Sequence, residues 1–344
     1  MKRADESPIS AASRALKRSL QRALRYHRAA KTLKPDAVHD FRVALRRCRS
    51  VAEGLLTIDT DPAWKRLRKA AKHQQGELSN LRDVQVLKNW LKPLRLTSGP
   101  VGKALASSLR KQEREFRRQA RDSLKDFPRR RWKRWLRRLP ERANAVQADR
   151  QQLAQVVLDR LVQVIELHQK WSKEHTPEDW HELRVTVKRF RYLVESFLPD
   201  QAESWGAELQ RAQYLLGEGH DLDVLHELIV RLAHRKPLRK HAAAARSSLR
   251  RVRAAAETKR KEYVRLVAGP QTPGRRETGG TGKAARTADH DTLWDRWRSE
   301  LLREVNASRR FAGASARSRR KKASRAEARA DRSPSRPGRI SLGR

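Results

Sequence analysis

An all-α fold follows from three features of the sequence. Between residues 10 and 268 Gly and Pro are sparse, Ala, Leu, Arg, Glu and Gln are abundant, and β-branched runs are few. Apolar residues recur there every three or four positions, the period of one helix face. One stretch also occurs twice, as His39-Asp-Phe-Arg-Val-Ala-Leu-Arg-Arg-Cys-Arg and as His181-Glu-Leu-Arg-Val-Thr-Val-Lys-Arg-Phe-Arg.

Each element has its own justification. Residues 10–33 carry Leu16, Leu20, Leu24 and His27 at helical spacing, opposite Arg14, Arg18, Arg22 and Arg25, and predict the first long helix. Pro35 breaks it and leads into the helix of the first repeated stretch, which runs to about Leu56. After a loop from Ile58 to Pro62, Trp64 to Glu77 predict a third helix with Leu67, Ala70 and Ala71 inward and Lys72 among its outward cations. Ser79 to Asp83 are expected to turn, with Asp83 capping the segment that follows. Residues 103–126 form a long charged helix, and the basic run 127–144, with Trp132 and Trp135, is expected to connect two halves.

The second half repeats the plan. Leu153 to His168 form a helix, Thr176-Pro177-Glu178-Asp179 start the helix of the second stretch, and Trp205 to Leu216 match the third helix of the first half. Leu216-Gly-Glu-Gly-His-Asp221-Leu-Asp-Val-Leu aligns without a gap on Leu78-Ser-Asn-Leu-Arg-Asp83-Val-Gln-Val-Leu, and residues 238–268 close the half with a last helix. An internal duplication explains the pattern, with repeats of about 10–126 and 145–268. From Gly269 onward 20 Lys and Arg face 8 Asp and Glu among Gly, Ser, Thr and Pro, which predicts a basic, largely disordered tail to residue 344 with one helical island near 291–305.

On a helix, His39, Arg42, Arg46 and Arg49 fall within an arc of about 80°, as do His181, Arg184, Lys188 and Arg191. The opposite faces are apolar: Phe41, Leu45, Cys48, Ala52, Leu55 and Leu56 in the first copy, Leu183, Val187, Phe190, Val194 and Phe197 in the second. Each copy is an amphipathic helix with a basic stripe. A solvated face is the ordinary reading of such a stripe, but recurrence of the same residue types in one register, led each time by a His, favours a shared binding role.

The chain of 344 residues carries a net charge of +42 and an isoelectric point near 11.5. Self-repulsion of that size calls for a polyanionic partner. The single cysteine, Cys48, excludes a disulfide framework and a thiolate zinc site. The N-terminus has no signal-type apolar run and no window of about 18 apolar residues occurs, so the expectation is a soluble cytoplasmic protein with no membrane partner. No nucleotide-binding loop, nucleophile elbow or His-Glu-x-x-His pattern is present, so neither catalysis nor a cofactor is expected. The spacings of His27, His39, His168, His181, His220 and His226 match no chelating motif, so no metal is expected either; these residues either donate to phosphate or pack at the core edge. Arg suits a linear phosphate chain, because its planar fork makes two parallel bonds and a helix turn rises about 5.4 Å.

The paired His-x-x-Arg-Val-x-x-Arg/Lys-Arg-x-Arg helices, each followed after about 30 residues by a Leu-(Gly)-x-x-(Arg/His)-Asp turn, resemble the CHAD family, the conserved histidine α-helical domain, over roughly residues 10–268. The resemblance implies two pseudo-symmetric antiparallel four-helix bundles whose basic surface binds inorganic polyphosphate and directs the protein to polyphosphate granules. Carried over, the eight stripe residues line that surface, with Arg18, Arg22, Arg25, Lys72, Arg82 and Arg211 as a wider set. Two departures stand out. Ser79 occupies the place of Gly217 in the first Asp segment, and the β-tunnel triphosphatase domain of many relatives has no room before Ser10. The rival reading is a nucleic-acid-binding protein that uses the tail and the Trp132/Trp135 run.

Overall fold

The computed structural model describes residues 8–146, 148–269 and 292–306, and every regular element among them is a helix. In chain order these are α1 (Pro8–Ala30), α2 (Pro35–Leu55), α3 (Pro62–Glu77), α4 (Ser79–Trp90), α5 (Gly99–Lys125), α6 (Arg129–Ala145), α7 (Arg150–Glu174), α8 (Pro177–Phe197), α9 (Pro199–Ser204), α10 (Gly206–Ala233), α11 (Lys236–Arg239) and α12 (Ala242–Ala268). A further helix, α13, spans 293–306. Among the described residues no helix is long and apolar enough to cross a membrane.

Local chemistry sets the boundaries of the stripe helices. Pro35 and Pro177 each occupy the first helical position, where the missing N–H costs nothing. Thr176 caps α8 by accepting from the Asp179 N–H at 3.1 Å and donating to its carboxylate at 2.6 Å. Asp149 and Gln152 form a capping box on α7. Asp61 caps α3 by accepting from the Ala63 N–H.

Two apolar cores hold the molecule together, and both mix helices of the two repeats. The larger joins α1, α2, α3 and α6 to α7, α8, α13, the first half of α10 and the end of α12. The smaller joins α4 and the first half of α5 to the second half of α10, α11 and the start of α12. Cys48 is fully buried among apolar neighbours of the larger core.

The structure departs from the sequence expectation at three places. The basic run 127–144 is taken up mostly by a helix, α6, because Trp132, Trp135, Leu139 and Ala143 recur on one face and bury it against α1. Ser13 Oγ donates to the Pro140 carbonyl at 2.8 Å and Arg129 to that of Leu24 at 3.0 Å, pinning both ends. The Asp segments do not turn: α4 runs through Asp83, which therefore caps nothing, and α10 runs unbroken through Gly217 and Asp221. The island in the tail is α13, with Trp294, Trp297 and Leu301 wholly inside the larger core. The rest of the tail expectation lies outside the described residues.

Helices α6 and α13 are counterparts. Each carries two Trp three residues apart, packed edge to face at 5.5 Å (Trp132/Trp135) and 5.2 Å (Trp294/Trp297). Helix α13 is tied down by Glu300, which accepts from Trp205 Nε1 at 2.9 Å, and by Glu304, which pairs with Arg150. The first repeat makes the equivalent link through Asp59, which accepts from Trp64 Nε1 at 2.8 Å and twice from Arg142 at 2.7 and 2.9 Å. Trp297→Ala is therefore expected to destabilise the whole fold by about 3–5 kcal/mol in urea denaturation. An unchanged midpoint would return 293–306 to the tail.

Candidate binding cavity

The basic stripes of α2 and α8 face a single cavity of about 700 Å³, closed on its other sides by α4 and α10. Thus the two landmarks that reveal the duplication, stripe and Asp segment, meet in one place from both repeats. His39, Arg42, Arg46 and Arg49 line it from α2, and His181, Arg184, Lys188 and Arg189 from α8. Arg82 and Asp83 come from α4, and Glu218, His220 and Asp221 from α10.

Stripe helices carrying this much like charge need an anchor. Arg47 of α2 pairs with Glu195 of α8 at 2.8 Å, and Arg189 of α8 lies 3.9 Å from Glu53 of α2. Both the arginines and the glutamates are 142 residues apart, so the contact is reciprocal, like that across a two-fold axis. Arg160 at 3.2 Å from Glu53 and Arg191 at 2.7 Å from Glu195 complete the set. Gly54 allows the close approach, because a Cβ there would stand 2.5 Å from Phe197.

Within the cavity the cations are crowded and underpaired. Arg42 is only 7% exposed, and its Nη1 donates to the Leu78 and Ser79 carbonyls at 2.8 and 3.1 Å, which fixes the α3–α4 junction. The Nε atoms of Arg42, Arg46, Arg49 and Arg184 are buried without a hydrogen-bond partner among the described residues. Burial and the charges of Arg184 and Arg46 push the Lys188 ammonium well below its ordinary pKa. Burial and Arg46 bring Arg42 down to about 10.

The histidines and carboxylates respond to the same field. Partial burial lowers His39 and His181, and nearby arginines lower them further. The His220 ring tilts against that of His181 at 4.5 Å between centroids, and burial with Arg184 takes it to about 3. Burial raises Asp221 to about 6 although Arg184 stands 3.8 Å away. Glu218 is already engaged by Lys259 at 3.2 Å. Seven Arg and Lys thus face three carboxylates in one half-buried space, an arrangement suited to an anion with several charged oxygens.

Seven of the eight stripe residues line the cavity, and so does Arg82. Arg191 does not, because Glu195 one turn along α8 draws it aside; Arg189, at the other edge of the stripe, takes its place. Of the wider set, Arg18, Arg22 and Arg25 are exposed along α1 and Lys72 is exposed on α3, all outside the cavity. Arg211 is held by Glu262 at 2.7 Å. Two of the histidines pack instead. His27 donates to the Leu124 carbonyl at 2.8 Å and stacks on Phe127, and His168 bonds the Tyr263 hydroxyl at 3.2 Å. The sequence reading names His220 only among the histidines that either donate to phosphate or pack and leaves Asp221 out of the site, because Gly217 and Gly219 suggest a turn; their place beside Arg82-Asp83 in the alignment was the available signal.

A family model described as the CHAD domain matches residues 14–230. Among solved structures the chain is similar to the crystal structure of the CHAD domain from the plant Ricinus communis, at 22% identity over 76% of this chain and 93% of that one, with a TM-score of 0.58. It is also similar to PptA from Streptomyces chartreusis, at 16% identity over 76% and 98%, with a TM-score of 0.56. At these identities the likeness is one of fold. No curated protein matches the chain.

The two glycines of the α10 segment are expected to behave differently. A Cβ on Gly219 would meet the Trp180 indole nitrogen at 2.8 Å, and that nitrogen donates to the Leu216 carbonyl at 3.1 Å. Gly219→Ala should cost about 1–3 kcal/mol by displacing the ring, measured by thermal unfolding. Gly217→Ala, whose Cβ would find only Arg184 Nε at 4.0 Å, should be tolerated. Equal effects would contradict this packing.

Proposed function

The chain belongs to the CHAD domain family, and on that footing we propose that its central cavity binds inorganic polyphosphate without turning it over. The observation that carries the reading is the convergence of both stripes on one cavity where seven Arg and Lys outnumber three carboxylates and four guanidinium Nε atoms have no hydrogen-bond partner among the described residues. Closely spaced phosphates satisfy such donors in series. Arg46 and Arg184 offer forks and Lys188 a point charge. Phosphate oxygens beside Lys188, His39 and His181 favour their protonated forms and so oppose the downward shifts that burial and the arginines cause. Binding releases counterions from the chain, so affinity falls steeply with salt. Through this cavity the protein is held on polyphosphate granules in the cytoplasm.

Trp132 and Trp135, the aromatic pair that the nucleic-acid reading needs, are 1% and 8% exposed and belong to the core of α6, so their faces are not a stacking platform. The tail on which that reading also relies lies outside the described residues.

Arg46→Glu combined with Lys188→Glu should weaken long-chain polyphosphate binding by about 100-fold, as two lost charge-assisted contacts of roughly 1.5 kcal/mol each imply. Arg319→Glu with Arg320→Glu in the tail should change it far less. The comparison is a titration of labelled polyphosphate at fixed salt with duplex DNA as competitor. Equal losses in the two variants, or displacement by DNA at equal phosphate concentration, would refute the cavity as the site.

A further inference from the structure

A second basic surface lies on the far side of α3. Arg66, Lys69 and His73 follow one another along α3, and Arg131, Arg134 and Arg138 along α6, flanking a groove of about 1030 Å³ floored by Trp132, Trp135 and Leu139. Residues 66, 69 and 73 share one side of α3, whereas Gln75, which lines the central cavity, falls about 120–180° round the helix from them. Groove and cavity therefore open in different directions. The three α6 arginines are exposed, and their guanidinium groups make no hydrogen bond or ion pair with any described residue. Asp61 is the one carboxylate lining the groove, and it lies 3.8 Å from Arg142, which Asp59 already holds.

The duplication supplies an internal control. Matching Trp132 to Trp294 sets Arg131, Arg134 and Arg138 against Leu293, Arg296 and Glu300. In α13 Leu293 is buried, Arg296 is neutralised by both oxygens of Glu208 at 2.7 and 2.8 Å, and Glu300 accepts from Trp205. The same helix in the same packing thus does without a free cationic row. The fold does not require one on α6.

We propose that the α3–α6 groove is a second polyphosphate site, so that one molecule holds two chain segments and cross-links long chains. This rests on the polyphosphate reading of the cavity. Successive guanidiniums one turn apart follow a phosphate chain, and the buried Trp faces offer no base stacking, which favours polyphosphate over a single-stranded nucleic acid. Two sites facing apart on one rigid body cannot both be filled by one short chain, but they join separate strands of long polymer.

The test uses the full chain in three forms: wild type, the groove variant Arg131→Glu/Arg134→Glu/Arg138→Glu, and the cavity variant Arg46→Glu/Lys188→Glu. Calorimetric titration with short-chain polyphosphate should give two sets of sites in the wild type and one in each variant. Light scattering with long-chain polyphosphate should rise for the wild type and stay at the buffer level for the groove variant. Two sets of sites and full scattering in the groove variant would overturn the proposal. So would displacement of groove-bound chain by duplex DNA at equal phosphate concentration, which would reassign the surface to nucleic acid. Unchanged binding by the cavity variant would instead refute the cavity reading, and with it the cross-linking of chains through two sites. Should charge reversal prevent folding, Arg131→Gln/Arg134→Gln/Arg138→Gln removes the charge alone and gives the same readouts.

Discussion

Mutual repulsion among half-buried cations is the constraint on which the rest of the structure depends. Two like charges 4–8 Å apart repel by about 2–4 kcal/mol at an effective dielectric near 20, and the cavity gathers seven Arg and Lys. A chain that binds its ligand through such a cluster must hold it open at its own expense when empty. The depressed Lys188 and Arg42, and the carboxylate of Asp221 raised although arginine and lysine surround it, are the marks of that tension. Opposing it are the reciprocal Arg47–Glu195 and Arg189–Glu53 contacts and the aromatic packing beneath the stripes.

The duplicated plan turns one helix pattern into an enclosed site. A single stripe would be an exposed basic face; two stripes directed to one space, with an Asp segment from each repeat, become a cavity with walls. The repeat is also longer than its most legible part. Helices α6 and α13 end the two halves in equivalent ways, with paired Trp residues in the larger core. Yet their outer faces differ, Arg131, Arg134 and Arg138 on one and Arg296 with Glu300 on the other. The inward residues keep the fold while the outward ones are free to differ.

Helix content, the order of the long helices and seven of the eight stripe residues were legible in the sequence because they depend on local period. Apolar residues three or four apart bury one face wherever the helix docks. What failed was decided by tertiary contact. The glycines at 217 and 219 suggested a turn, but Gly219 exists to admit the Trp180 ring, which nothing in its own neighbourhood announces. Arg191 has the right phase for the cavity but is held by Glu195, while Arg189, outside the predicted arc, lines it. The Trp-Arg run 127–144 looked like a linker because its charge masked a period of four inward residues. The island at 293–306 was legible as a helix, but its burial depends on partners in α8, α9 and α10 that lie far off in sequence.

The most direct measurement is the titration of the Lys188 ammonium by NMR, with and without bound short-chain polyphosphate. In the empty protein the account requires a pKa well below that of an ordinary lysine, set by burial and by Arg184 and Arg46. Phosphate should raise it again, so that binding takes up a proton at any pH between the empty and bound values and affinity grows as pH falls through that window. Below the empty-state value the lysine is already charged and the dependence should vanish. An ordinary pKa in the empty protein, or one that binding leaves unmoved, would contradict the claim that this cavity is a strained cation cluster awaiting a phosphate chain.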